Sequence, residues 1–361
     1  MRYKLGEVAK IRYGKDHKKL DDGNIPVYGS GGIMRYVDTA LYDKKSVLIP
    51  RKGSLGNLFF ANKPFWTVDT LFYTEIDENI LMPEFLFYKL KMFNLASMNV
   101  GSAVPSLTTA ILNALELDIP SFEVQSQIVN ILKAFDERIS LNKQINHHLE
   151  EVINAIFLRY IESSKQLEAK KLGELFDTKT ATFNPAKARE EKVNHFSLPA
   201  FDSSQYPLVD ETNNIKSNKN IIKEYSVLFS KLNPSTKRVW VPFTNQDLIS
   251  VCSTEFVSLA GKDKIEQAIL FAIINSQIFQ DYFVAHATGT TNSRQRTKPS
   301  VAYEFEIPYN KNLLNQLGRT LSPLLTQLED NLHQIHKLTQ IRNELLPKLL
   351  SGKLSINQAT K

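Results

Sequence analysis

The chain has almost no cysteine. Its one thiol, Cys252, sits in an alternation of apolar and polar residues, as a small strand hydrophobe would. A single cysteine cannot close an internal disulfide or build a cysteine-rich zinc cluster, so a reducing compartment fits. Long apolar runs are missing as well. The longest, Ala268 to Ile274, falls far short of the roughly 20 residues that span a bilayer. The start, MRYKLGEVAK, lacks the apolar segment of a signal peptide, and the expected location is cytoplasmic. Glycine motifs for nucleotides are also absent. There is no GxGxxG and no GxxxxGK followed by Ser or Thr, and Gly53-Ser54-Leu55-Gly56 is only a two-glycine turn. Asn233-Pro234 is followed by Ser235-Thr236, without the second proline and the aromatic that hold a flipped base in amino-methyltransferases. The seven histidines have no cysteine partners. His333 and His336 lie one turn apart on a helix, where packing is a plainer role than metal binding. These gaps argue against catalysis, and no metal or cofactor is assigned to this chain.

What is present is repetition. From Ser121 to Ile161, the positions Ile128, Leu132, Phe135, Ile139, Asn142, Asn146, Leu149, Ile153 and Ile156 alternate steps of four and three. From Ser322 to Leu350 the same rhythm recurs in Leu324, Leu328, Asn331, Ile335, Leu338, Arg342, Leu345 and Leu349, with Leu321 just before it. That spacing gives each helix one narrow apolar seam, and the economical partner of each seam is the other. Asn142 and Asn331 place amides in the seams, where they fix register and orientation at some cost in stability. Pro323 suits the first turn of the second helix, and Pro347 with Gly352 suits its end. The chain before each helix repeats too. Lys4-Leu5-Gly6-Glu7 recurs as Lys171-Leu172-Gly173-Glu174, and both halves end in an Ile-Pro step, Ile119-Pro120 and Ile307-Pro308. Strands are expected at Ser46–Pro50, Leu58–Ala61, Leu115–Ile119, Val227–Phe229, Val239–Val241 and Phe256–Leu259, and a helix from Pro83.

The expected class is α+β: two mixed α/β domains separated by two long helices that pair as an antiparallel coiled coil, with a pseudo-two-fold internal repeat. The expected limits are a first domain over 1–120, a helix and linker over 121–165, a second domain over 166–308, the second helix over 309–352 and a tail over 353–361.

Net charge is +6 and the pI is near 9.0, a mild lean toward a polyanionic partner. The cations cluster in loops. Lys10 to Lys19 holds five cations against one acid, with Lys15 and Lys18 as candidates for phosphate contact. Arg51 and Lys52 open the glycine turn. Ala287 to Lys298, ATGTTNSRQRTK, has three cations and no acid. Its Arg294 and Arg296 suit guanine edges, and Asn292 and Gln295 suit adenine. Its Thr290, Thr291, Ser293 and Lys298 suit phosphate oxygens. The counterpart loop, Gly101 to Thr109, offers hydroxyls such as Ser102 and Ser106 but no cation.

At these residues the chain resembles the specificity subunit of type I restriction-modification enzymes. The first half carries the likeness in KLGEVAKIRYGK, IPVYGSGG, VLIPRKGSLGN and LDIPSFEVQSQIVNILKAFDERI. The second carries it in KLGELFD, YSVLFSKLNPSTKRV, CSTEFVSL, TGTTNSRQRTK and NELLPKLLSGKL. One departure lies at the helix start, where the family often has Pro-Pro-x-x-Glu-Gln. Here Pro120-Ser121-Phe122-Glu123-Val124-Gln125 keeps part of it, and Pro308-Tyr309-Asn310 keeps less.

The resemblance implies a non-catalytic subunit whose two target recognition domains each read half of a gapped, asymmetric site in double-stranded DNA. It implies helices that hold two methyltransferase subunits, which bind S-adenosylmethionine, and restriction-translocase subunits that join for cleavage. It adds Tyr28, Ser30, Ser54 and Asn57 in the first half, and Lys231, Lys237 and Arg238 in the second, as DNA-binding candidates. The core of the seam is Leu132, Ile139, Asn142, Leu149, Leu328, Asn331, Ile335 and Leu338. Three other readings stay open: a subunit serving a methyltransferase without a restriction partner, a nuclease or methyltransferase with an unfamiliar site, and a coiled-coil scaffold that binds only protein.

Overall fold

The computed structural model describes residues 1–99, 105–243, 247–289 and 295–354. Helix and sheet are mixed, and two helices, Phe122–Ser163 and Lys311–Leu350, dominate. Packing divides the chain into two units, Met1–Glu137 with Thr339–Lys361, and Arg138–Leu338. Each unit takes a section of both long helices, because the helix sections are built into the cores of the folded domains.

In the first unit, Ala9–Tyr13, Leu71–Ile76, Ser46–Pro50 and Phe59–Ala61 form a four-stranded sheet in that spatial order. Every residue of Ser46–Pro50 is buried, as a continuous apolar run predicts. A second sheet joins the hairpin strands Asp22–Gly29 and Gly32–Val37 to Trp66–Thr67. Helix Pro83–Leu90 starts with proline and an acid at its first turn. Its Phe85 and Leu86 share a core with Val47, Phe72 and Leu117. Ile128, Leu132, Leu349 and Leu350 of the long helices complete that core.

In the second unit, Ser226–Ser230 pairs antiparallel with Val239–Trp240 and Phe256–Ala260. A five-stranded sheet includes one parallel pair, Lys192–Phe196 with Ser250–Cys252. Cys252 is fully buried there, and burial pushes its thiol up to about 12. Helix Lys264–Asn275 is capped by Asp263, whose carboxylate accepts from the Glu266 amide at 2.9 Å. Its apolar side chains meet Ile153, Phe157, Leu317 and Leu321 of the long helices in one core. Among the described residues no single helix is long and apolar enough to cross a membrane; the apolar bent pair Lys264–Asn275 and Gln277–Ala285 contributes to this core.

The long helices pair antiparallel. In the second unit, Asn142 Nδ2 donates to Gln334 Oε1 at 3.2 Å and Asn331 Nδ2 donates to Asn146 Oδ1 at 2.8 Å. In the first unit, Arg342 Nη1 donates to Asp136 Oδ1, and the Tyr88 hydroxyl donates to Asp136 Oδ2 at 2.7 Å. The seam positions Leu132, Ile139, Asn142, Leu328, Asn331 and Ile335 are buried, and Leu149 and Leu338 are partly so. Hydrogen bonding satisfies the buried amides, which is how a seam tolerates them.

Two proline expectations fail. The second helix starts at Lys311, where Asn310 Oδ1 accepts from the amides of Asn312 and Leu313 at 3.0 and 3.2 Å. Pro323 therefore lies in the helix interior, not in a first turn. Pro347 does not end the helix, which runs on to Leu350. A proline costs a helix about one hydrogen bond and some crowding, and burial of Leu321, Leu325, Leu349 and Leu350 around these sites outweighs it. Gly352, with φ +71°, follows the last turn in the left-handed conformation that suits glycine.

The repeated Lys-Leu-Gly-Glu is a short helix in each unit, Leu5–Val8 and Leu172–Leu175. A Cβ on Gly6 would stand 2.9 Å from Asn113 Cβ, and one on Gly173 would stand 3.2 Å from Tyr303 Cβ. Another short helix packs against each glycine, so a side chain would force a shift at Gly6 and crowd Tyr303 at Gly173.

Candidate nucleic-acid interface

Each unit closes one loop against another through the same backbone hydrogen bonds. In the first, the Arg51 amide donates to Thr70 O at 2.8 Å, Leu107 to Arg51 O at 2.9 Å and Gly53 to Pro105 O at 3.2 Å. In the second, Lys231 donates to Glu255 O at 2.9 Å, Thr297 to Lys231 O at 3.1 Å and Asn233 to Gln295 O at 2.8 Å. Lys52 bridges Ser106 in one, and Leu232 bridges Arg296 in the other. Gly53 and Asn233 both take positive φ, 84° and 49°. Glycine and asparagine are residues that tolerate this conformation. The equivalence pairs Arg51 with Lys231, Ser106 with Arg296 and Thr70 with Glu255.

In the first unit the clamp gathers several of the sequence candidates. Asn57 Nδ2 donates to Ser30 O at 3.1 Å, tying the hairpin turn to the glycine loop. Arg51 Nη1 donates to Asp69 O at 3.0 Å, and its guanidinium lies 5.2 Å from the Tyr13 ring centroid. Lys52, Ser54 and Asn57 are exposed, and Ser30 and Ser106 are partly exposed. Tyr28 is half-buried against Phe59 and Phe65, and burial raises its hydroxyl above the ordinary value. Lys15 and Lys18 are exposed on the loop after Ala9–Tyr13. The Lys15 carbonyl accepts from Trp66 Nε1 at 2.9 Å, and the Lys18 amide, donating to Asp16 Oδ1, helps hold that carboxyl below its usual range. Ser102 lies outside the described residues.

In the second unit the candidates separate by what they touch. Arg238 forms a two-point ion pair with Asp202, at 2.6 and 3.0 Å. Lys237 Nζ donates to Asn275 O at 2.7 Å, and burial lowers its affinity for a proton against the pull of Glu150. Burial likewise raises Glu150 above the usual carboxylate range. Arg238 is mostly covered within the unit, whereas Lys237 is an exposed residue whose ammonium is tied back to the Asn275 carbonyl. Lys298 is exposed just before helix Pro299–Tyr303, and Lys231 and Gln295 are partly exposed at the clamp. Arg296 is half-exposed and makes a two-point pair with Glu255, both distances 3.1 Å. Thr290, Thr291, Asn292, Ser293 and Arg294 lie outside the described residues.

Sequence reading missed Glu255, Asp202 and Gln125. Glu255 and Asp202 meet their arginines 41 and 36 positions away, so no local spacing announces them. Gln125 had a signal in the partial motif at the helix start. Its side chain is buried, accepts from the Met82 amide and donates to Ile80 O, both at 2.9 Å. It ties the first long helix to the turn before helix Pro83–Leu90.

His333 and His336 pack against aromatic rings. His336 stacks on Tyr206 with centroids 3.5 Å apart, and His333 lies 4.1 Å from Phe243. Burial lowers both imidazoles below their ordinary 6.5, with Asp330 opposing it at His333 and His333 adding to it at His336. A histidine depressed in the fold stabilises it fully above the unfolded value and loses that contribution as acid protonates it. The melting temperature should therefore fall between pH 7 and pH 5. The double variant His333→Phe, His336→Phe should show a smaller fall. An equal fall in both proteins, followed by thermal denaturation, would remove the histidines from the explanation.

Comparison with known proteins gives a consistent result. Residues 1–151 match a family model described as the type I restriction modification DNA specificity domain. The specificity subunit of the type I restriction enzyme MjaIX from Methanocaldococcus jannaschii is 22% identical over 350 residues, covering 88% of this chain and 79% of that protein. The HindI specificity subunit from Haemophilus influenzae is 32% identical over 128 residues, covering 33% of this chain and 28% of that one. In fold, the chain is similar to the crystal structure of a type I restriction-modification S subunit from M. genitalium. The TM-score is 0.60 at 16% identity, over 97% of this chain and 95% of that one.

Proposed function

We propose that the chain is a specificity subunit of a type I restriction-modification system and that its two units each read one half of a gapped DNA site, a reading supported by the family-model match and by the similarity to the MjaIX subunit. The observation that carries this reading is the duplicated clamp: one backbone arrangement presents different polar and cationic side chains in each unit. In the first unit the readers would be Lys52, Ser54, Asn57 and Ser106. In the second they would be Lys231, Gln295, Arg296 and Lys298. Cations and hydroxyls would bind phosphates and set the register, while the arginine fork and amides would read base edges. The paired helices would hold two methyltransferase subunits, which supply S-adenosylmethionine and methylate adenine. A restriction subunit would join that assembly for cleavage. This chain alone would transfer no methyl group and cut no DNA.

Methylation mapping of DNA treated with this chain and its methyltransferase subunits tests the reading. Methylated adenines should fall in a two-part site with a constant gap, and scattered methylation would overturn it. Arg296→Ala should relax one base position of one half-site, at ~1–3 kcal/mol of lost discrimination, and leave the other half intact. Equal weakening on every sequence would instead make Arg296 a phosphate contact.

A further inference from the structure

The ion pair at the tip of the second clamp has a geometry that suits reading rather than bracing. Glu255 takes the Arg296 guanidinium by one edge: Nε donates to Oε2 and Nη2 to Oε1. That leaves Nη1 and the outer N–H of Nη2, the fork at the end of the side chain, without an acceptor among the described residues. This outer fork is the edge with the shape of guanine O6 and N7. The arginine side chain is 51% exposed and the glutamate 26%, so the fork has access to solvent.

Both backbones are held as well. Arg296 and Thr288 exchange two hydrogen bonds of 2.9 Å, and the Glu255 carbonyl accepts from Lys231. An arginine on an exposed loop ordinarily loses much rotamer freedom when it binds. One already fixed at backbone and guanidinium loses less. The carboxylate also decides what Arg296 can face. Beside a phosphate, Glu255 would repel the duplex; beside a base edge it meets no formal charge. The equivalent positions in the first unit are Thr70 and Ser106, so the pair is not part of the shared scaffold.

We propose that Glu255 is a positioning residue that aims Arg296 at a guanine, and so sets the specificity of the second half-site at one base pair. This rests on the DNA-reading function above.

The experiment selects methylated sites from a library randomised across both halves, using this chain with its methyltransferase subunits. Glu255→Ala should lower the preference for guanine at one position of one half-site by roughly tenfold, and leave the other half unchanged. It should also raise affinity for non-specific duplex, with a steeper salt dependence, because the released guanidinium can then reach phosphate. A merely structural glutamate would do neither. Glu255→Gln, which keeps one acceptor oxygen, should restore part of the preference. Melting temperatures measured in parallel identify a variant that has lost its fold, and Glu255→Gln then carries the test. If the unaltered protein selects a two-part site and both glutamate variants select the same site with the same stringency, this inference fails and DNA reading stands. If Glu255→Ala weakens all sequences alike, the inference also fails. If the unaltered protein selects no two-part site, both fail.

Discussion

Inserting one heptad after Glu137 and another after Leu338 should lengthen the preferred gap between half-sites by about three base pairs. The insertion points follow from packing. Glu137 and Leu338 end the sections of helix that belong to one unit or the other, so the insertions leave each unit's internal contacts in place. Asp136 keeps Arg342 on one side, and Asn142 keeps Gln334 on the other. Seven residues preserve the phase of a seam that alternates threes and fours. At ~1.5 Å per residue they add roughly 10 Å of helix, and a duplex rises ~3.4 Å per base pair. The half-sites themselves should not change. Methylation mapping of the double insertion reads both quantities together. A variant that folds and still methylates the original gap would show that the partner subunits, not the helices, set the spacing. An insertion into one helix alone should abolish sequence-selective methylation, because it leaves seven residues of one seam unpaired.

Phe157→Ala should lower the stability of the second unit by about 3–5 kcal/mol. Phe157 is 1% exposed and shares a core with Leu172, Phe279, Phe305 and Leu321. Truncation removes the ring's burial and leaves a cavity that this mixture of helices cannot close without moving the long helix. For a unit of this size the melting transition should fall by on the order of 10 °C, as calorimetry would show. The neighbouring Leu158 is 40% exposed, and Leu158→Ala should stay within about 0.5 kcal/mol of the parent. Equal effects at the two positions would contradict the burial assigned to this face of the helix.

Much of the architecture was legible because its signals are local. Helical periodicity in 121–161 requires only side chains three and four positions apart. The Ser46–Pro50 strand announces itself by five consecutive residues with nowhere to go but inside. The prolines misled because local rules treat each as a boundary. Packing along the second helix contributes more than one lost hydrogen bond, so the helix runs through both Pro323 and Pro347. The interface was legible as a set of loops and not as a set of contacts. Arg238 and Arg296 look alike in a basic stretch, yet the side chain of one is 15% exposed and that of the other 51%.

The sequence by itself determined the duplicated plan and the two seams, since each depends on short-range spacing or on a motif that recurs. Tertiary structure alone decided which partner each of these cations takes. Lys237 and Arg238 are satisfied by Asn275 and Asp202, and Arg296 is held side-on by Glu255. These partners are 36 to 41 residues away in the chain, and only the folded backbone brings them within hydrogen-bond reach. A charge is fixed by its residue type; its availability depends on which opposite charge or carbonyl the fold sets beside it.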